Sequence, residues 1–124
     1  MFFFKCSNLT NISIENNRIY SKENNMIIKR KERELIYMIG CDQMKEINLP
    51  TSISEIGDYC FCECENLNTI NLPTSISSIG NYCFSYCTEL KGHISIDPNN
   101  PTFRTDGTNI YRKDNSEEVV RVWW

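Results

Sequence analysis

A single histidine, His93, occurs in the 124 residues, and no recognisable nucleophile motif sets a serine or cysteine beside it. With no base–nucleophile pair to read, the chain is expected not to be an enzyme. Long apolar runs are missing too: none approaches the roughly 18–20 residues that cross a bilayer. The opening MFFFKCSNLT is apolar for too few residues to form a signal-peptide core, and no basic stretch precedes it. The sequence therefore reads as that of a soluble chain. Concentrated positive charge is also lacking. Thirteen Lys and Arg are mixed among 16 Asp and Glu, for a net charge of −3, so nucleic acid, which calls for a basic face, is excluded as a partner.

What the chain has is repetition. Residues 47–69, INLPTSISEIGDYCFCECENLNT, and residues 70–92, INLPTSISSIGNYCFSYCTELKG, agree at 15 of 23 positions without a gap. The phase extends outward through CDQMKEINLP at 41–50, CTELKGHISI at 87–96 with one inserted residue, and FKCSNLTNISI at 4–14. A tandem period of this length marks a leucine-rich-repeat solenoid, whose coils bury a core only by stacking. The whole chain, 1–124, is expected to form one such domain, with rungs near 9–14, 44–49, 67–72 and 90–96.

Alternation within each rung predicts a short strand. Ile12/Ile14, Ile47/Leu49, Ile70/Leu72 and Ile94/Ile96 face one way, and Ser13, Asn48, Asn71 and Ser95 the other. Coils of the same sense give a parallel concave sheet with strands about 4.8 Å apart. Pro50 and Pro73 end the strands, having no N–H for the ladder. Ile53, Ile56 and Phe61, with Ile76, Ile79 and Phe84 in the next copy, supply the apolar side of the return path. Gly57 and Gly80 mark a turn there, and the convex side is expected to be irregular or to carry short helical turns capped by Asp58 and Asn81.

The seven cysteines follow the repeat. Cys6, Cys41, Cys64 and Cys87 each stand three residues before a Leu or Met, and Cys60 and Cys83 share a second register. Cysteine recurring in phase is expected to be a small buried hydrophobe. The odd count leaves at least one thiol free or paired between chains. Disulfides between stacked cysteines such as Cys64 and Cys87 are disfavoured, because parallel side chains rarely give the required dihedral. The CxCxC of Cys60, Cys62 and Cys64 lacks the paired C-x₂₋₄-C units of structural zinc.

Two flanking stretches resemble one another: IYSKENNMIIKRKERELIYM at 19–38 and FRTDGTNIYRKDNSEEVVRV at 103–122. Each is read as a β-hairpin insertion projecting from the repeat, near 18–39 and 99–122, with turns at Lys31–Arg33 and Asp114–Ser116. The basic cluster Lys29–Arg33, interrupted by Glu32, reads as a solvated hairpin turn. Asp97, Asn99, Asn100 and Asp106 have Pro and Gly neighbours that mark turns, at spacings that do not fit a calcium loop.

The run I-x-L-P-x-x-I-x-x-I-G-x-x-C-F-x-x-C-x-x-L resembles the BspA-like, or Treponema pallidum-type, leucine-rich repeat. DPNNPTFRTDG-TNIYRKD is similar to the hairpin insertion that interrupts arrays of that family. Cys60 and Cys83, in place of the bacterial Ala, together with abundant Ile and Asn, resemble its protist versions. The resemblance implies a non-enzymatic surface-exposed or secreted protein of adhesion or surface-antigen type, binding host proteins, matrix or other cells.

The outward row of the concave sheet is the candidate ligand site: Asn11, Ser13, Glu46, Asn48, Thr69, Asn71, His93 and Ser95. These side chains are small and polar, without the aromatic anchors of tight protein interfaces, and suit a weak multivalent contact such as a glycan. No metal or cofactor is expected. Asn8-Leu9-Thr10 and Asn11-Ile12-Ser13 are N-glycosylation sequons. Neither end shows a polar cap, so the chain is expected to be a piece or relic of a longer array whose terminal coils self-associate. An intracellular scaffold, or a truncated structural piece with no ligand of its own, remains open beside the adhesive reading.

Overall fold

The computed structural model describes residues 18–115 and 117–121. The expected rung at 9–14, the sequons, Cys6, and site candidates Asn11 and Ser13 lie outside them.

Apolar–polar alternation sets the strands. The first insertion contains β1 (Tyr20–Glu23), β2 (Met26–Lys29) and β3 (Glu34–Met38). The repeats that follow carry β4 (Glu46–Asn48), β5 (Glu55–Ile56), β6 (Thr69–Leu72), β7 (Ser78–Ile79) and β8 (Ile94–Ile96). The second insertion contributes β9 (Phe103–Thr105), β10 (Asn109–Arg112) and β11 (Glu118–Arg121).

Two parallel ladders result. β4, β6 and β8 pair in that order, with Ile47 opposite Ile70 and Ile70 opposite Ile94. The residue inserted after Leu90 is absorbed before β8, so the apolar row stays in register. On the return path β5 and β7 form a second ladder, with Ile56 opposite Ile79. That ladder corrects the expected irregular return, and it also recruits the insertion: β3 pairs parallel with β5, Leu35 lying opposite Ile56. Each insertion has three strands rather than the two of a hairpin, in orders β1-β2-β3 and β11-β10-β9. The first does not merely project; it continues the return-path sheet as β1-β2-β3-β5-β7.

Between the ladders lies the core. Ile47, Leu49, Ile70, Leu72 and Ile94 come from one side, and Leu35, Ile53, Ile56 and Ile76 from the other. Phe61 and Phe84 close it, stacked with centroids 5.4 Å apart at 6°. Each large side chain buried this way stabilises the fold by roughly 1.5–3 kcal/mol. The first insertion is also covered on its opposite face, where Ile27, Tyr37 and Ile39 form a second, smaller cluster.

The expected helical turns after Gly57 and Gly80 are replaced by consecutive turns. Tyr59, Glu63, Tyr82 and Tyr86 adopt φ between 54° and 64°, breaking the right-handed path a helix needs. Alternate N–H groups of the first copy point at the next repeat: Tyr59 to Asn81 O, Phe61 to Cys83 O and Glu63 to Ser85 O, at 2.8–3.0 Å. Asp58 does not cap its own turn; its carboxylate accepts the Asn81 N–H at 2.7 Å. Bonding between repeats thus takes the donors that helical turns would have used. Among the described residues the one helical element is the 3₁₀ turn Cys41–Gln43.

That 3₁₀ turn bears on the cysteines. Cys41 and Cys64 are joined in a disulfide, with Cα atoms 5.5 Å apart, inside the usual range for such a bond. The expectation of unbridged thiols fails here because stacking brings two equivalent repeat positions within bonding range, each following a left-handed residue, Gly40 and Glu63. One repeat further on, the Cys87 thiol donates instead to Phe61 O at 2.8 Å.

Asn100 fastens the second insertion to the repeats. Fully buried, it donates from Nδ2 to Pro73 O and Ile76 O at 2.9 and 3.0 Å. Its Oδ1 accepts the N–H groups of Thr102 and Phe103 at 2.8 and 2.9 Å. All four hydrogen-bonding positions of the amide are filled.

Candidate binding face

Strand alternation in β4, β6 and β8 turns the isoleucines and leucines inward and leaves polar side chains outward. Two rows follow from the register: Glu46 opposite Thr69, and Asn48 opposite Asn71, itself opposite Ser95. In the second row the Asn71 amide donates to Asn48 Oδ1, so the two asparagines orient one another. Backbone pairing runs past the strand ends, with Leu49 N–H to Asn71 O and Asp97 N–H to Leu72 O.

An open groove of about 290 Å³ lies along this second row, lined by Asn48, Leu49, Asn71, Leu72, Pro73, Ser95 and Asp97. Its chemistry is amide, hydroxyl and carboxylate over a strip of aliphatic edge. Of the site residues expected from sequence, the structure brings Asn48, Asn71 and Ser95 into the groove. Glu46 and Thr69 lie on the same face beside it. His93 is exposed just before β8, its N–H bonded to Leu90 O in the preceding turn.

Asp97 is the groove residue that the sequence pattern does not single out, because it groups with the turn that follows. The signal is nonetheless present in the register. Asp97 stands two residues beyond Ser95, the position that Pro50 and Pro73 hold in the earlier repeats, so the alternation carries it onto the same face. Its carboxylate accepts the Asn99 N–H at 2.9 Å and keeps further acceptor capacity.

Burial decides the chemistry of the remaining thiols. Desolvation pushes Cys60 and Cys83 well above the ordinary thiol range and Cys87 up to about 12. At neutral pH these stay protonated, unsuited as nucleophiles or metal ligands. Among the described residues, no group of three or more His, Cys, Asp or Glu is arranged to hold a metal ion. Nor is any helix among them long and apolar enough to cross a membrane.

Stacked 23-residue repeats, a parallel sheet of short rungs and an outward polar row define a leucine-rich-repeat type of protein. Residues 38–116, more than half of the chain, match the family described as "BspA type Leucine rich repeat region (6 copies)", and the chain belongs to that family. A leucine-rich repeat protein from Eubacterium ventriosum, solved by crystallography, is similar at 18% identity with a TM-score of 0.47, over 67% of this chain. The chain spans 28% of the length of that protein. No curated protein matches the sequence.

Proposed function

We propose that the chain is a non-enzymatic interaction module of adhesive type. In this reading residues 1–124 form a single leucine-rich-repeat solenoid, and the ligand, a glycan or an extended protein segment, lies across the face of β4, β6 and β8. The observation that carries it is the groove built on Asn48, Asn71, Ser95 and Asp97. Side-chain amides and a hydroxyl on the strands, with a carboxylate just past the end of β8, suit a hydroxyl-rich or backbone-like ligand better than an apolar one. Without aromatic anchors each contact is weak, so useful affinity comes from multivalency. Glu46, Thr69 and His93 would extend the contact along the sheet, and Asn11 and Ser13 would continue it.

The disulfide between Cys41 and Cys64 supports an exported or surface location over an intracellular scaffold, because such bonds persist in oxidising compartments. The test is a glycan and protein array probed with the wild type and an Asn48→Arg/Asn71→Arg double variant. Binding by the wild type that the variant loses is the expected result. Undiminished binding by a folded variant would show that this face is not the site.

A further inference from the structure

A second groove, of about 510 Å³, lies at the end of β2 and is lined by Arg18, Ile19, Lys29, Arg30, Lys31 and Glu32. The lining is strongly basic in a chain whose net charge is −3. We propose that this groove binds a sulfated oligosaccharide, separately from the polar face on β4, β6 and β8, with which it shares no residue.

The cluster forms the expected turn between β2 and β3, with Arg30 and Lys31 exposed, but Arg33 within it is tied down. Arg33 donates to both Glu23 carboxylate oxygens at 2.8 and 3.1 Å and to Ser52 O at 2.9 Å. Among the described residues Arg30's side chain is held through Nε, which donates to Tyr20 O at 3.1 Å, and the rest of its guanidinium is left to the groove. Arg18, Lys29 and Lys31 form no ion pair with any described residue. The Arg30 N–H bonds to Ile19 O at 2.8 Å, and this closure draws Arg18 and Ile19 against the Lys29–Glu32 turn. Ile19 is 56% exposed and gives the groove an apolar surface, which the aliphatic stems of the lysines extend.

Three features choose the ligand class. Four closely set cations call for more than one negative group. Ile19 suits the apolar face of a sugar ring. Glu32, also in the lining, places a carboxylate among the cations, which favours an occupant bringing hydroxyl groups as well as negative charge. Nucleic acid would need a wider basic face and aromatic platforms for its bases, and a bilayer surface is too flat to enter a groove.

The test is calorimetric titration of the wild-type chain with a heparin-derived hexasaccharide. Parallel titrations use its desulfated counterpart, polyphosphate of matched charge, phosphatidylserine-containing vesicles and a single-stranded oligonucleotide. Expected are selective binding of the sulfated hexasaccharide, weakening with added salt, and roughly tenfold or greater loss in Lys29→Glu/Lys31→Glu. Lys31→Gln, at an exposed position, should give a smaller loss in the same direction with an unchanged fold. Lys91→Glu and Asn71→Ala, outside the groove, should leave affinity unchanged, which separates this site from the polar face. Absence of binding, equal affinity for the desulfated sugar or polyphosphate, preference for vesicles or oligonucleotide, or full affinity in both lysine variants would overturn the proposal.

Discussion

Gly80 lies so close to Asp58 that a Cβ on it would overlap the Asp58 backbone nitrogen and the adjoining Gly57 carbonyl carbon. The obstacle is backbone, which cannot swing aside as a side chain would. Neither Gly80 nor Gly57 needs a left-handed conformation, so the sequence expectation of a turn glycine has a different basis: the repeats approach closely here. Gly80 donates to Ile56 O at 2.7 Å, and Gly57 to Leu35 O at 2.8 Å. Gly80→Ala should therefore destabilise by about 3 kcal/mol. At Gly57 the nearest obstacle is the Glu34 carboxylate, 2.9 Å from the added Cβ, which can move, so Gly57→Ala should cost less. Urea unfolding of the two variants checks the order; equal midpoints would refute it.

Replacing Asn100 removes partners from two carbonyls and two N–H groups at once. Asn100→Leu, close in volume, should lower stability by roughly 2–4 kcal/mol, because a buried polar group left unpaired costs its desolvation. The same variant should loosen the second insertion first. Amide exchange is expected to speed up at Phe103 before it does at Ile70, and unchanged protection at Phe103 would count against the staple.

The Cys41–Cys64 bond closes a loop of 23 residues in sequence separation, which in the chain-entropy account stabilises by about 3 kcal/mol. Non-reducing peptide mapping with trypsin and a glutamate-specific protease should recover the Cys41 and Cys64 peptides joined, since Lys45 lies between them and Glu63 and Glu65 part Cys64 from the other cysteines. Cys41→Ser should lower the unfolding midpoint about as much as reduction does. A Cys64–Cys87 linkage in the map would contradict the arrangement described here.

Acid should affect two glutamates in opposite senses. Burial, and then the charge of Glu55 opposite it, hold the Glu34 carboxyl above the usual carboxylate range. The folded state thus binds this proton more tightly than the unfolded chain, and the associated stability is lost as pH rises through the folded pKa. Glu23, hydrogen-bonded by Arg33, is held below its ordinary value, so its contribution is present above the unfolded pKa and lost as pH falls through the folded one. Glu34→Gln should stabilise the protein at pH 7 relative to wild type, with the difference vanishing towards pH 4. Denaturation across that interval reads the effect, and a pH-independent difference would argue against it.

The repeat phase makes most of the concave side legible in the chain alone. Isoleucine and leucine every second residue name the buried row, and the same alternation puts Asn48, Asn71 and Ser95 outward. Asp97 escapes because its Pro98-Asn99 neighbours look like a turn, although the register assigns it a face. The return path escapes for another reason. Ile53, Ile56, Ile76 and Ile79 recur at three-residue spacing, which is compatible with irregular chain, and two-residue strands such as β5 and β7 carry no periodicity of their own.

By itself the sequence determined the repeat, its 23-residue register and the identity of the buried rungs, because these are local: each residue's face follows from its neighbours in the chain. Tertiary structure decided the rest. That β3 joins β5, that Cys41 meets Cys64, and that Asn100 reaches under Pro73 and Ile76 all depend on segments brought together from about 20 or more residues apart. Such contacts exist only once the repeats have stacked, because the partners that fix each geometry lie in another repeat.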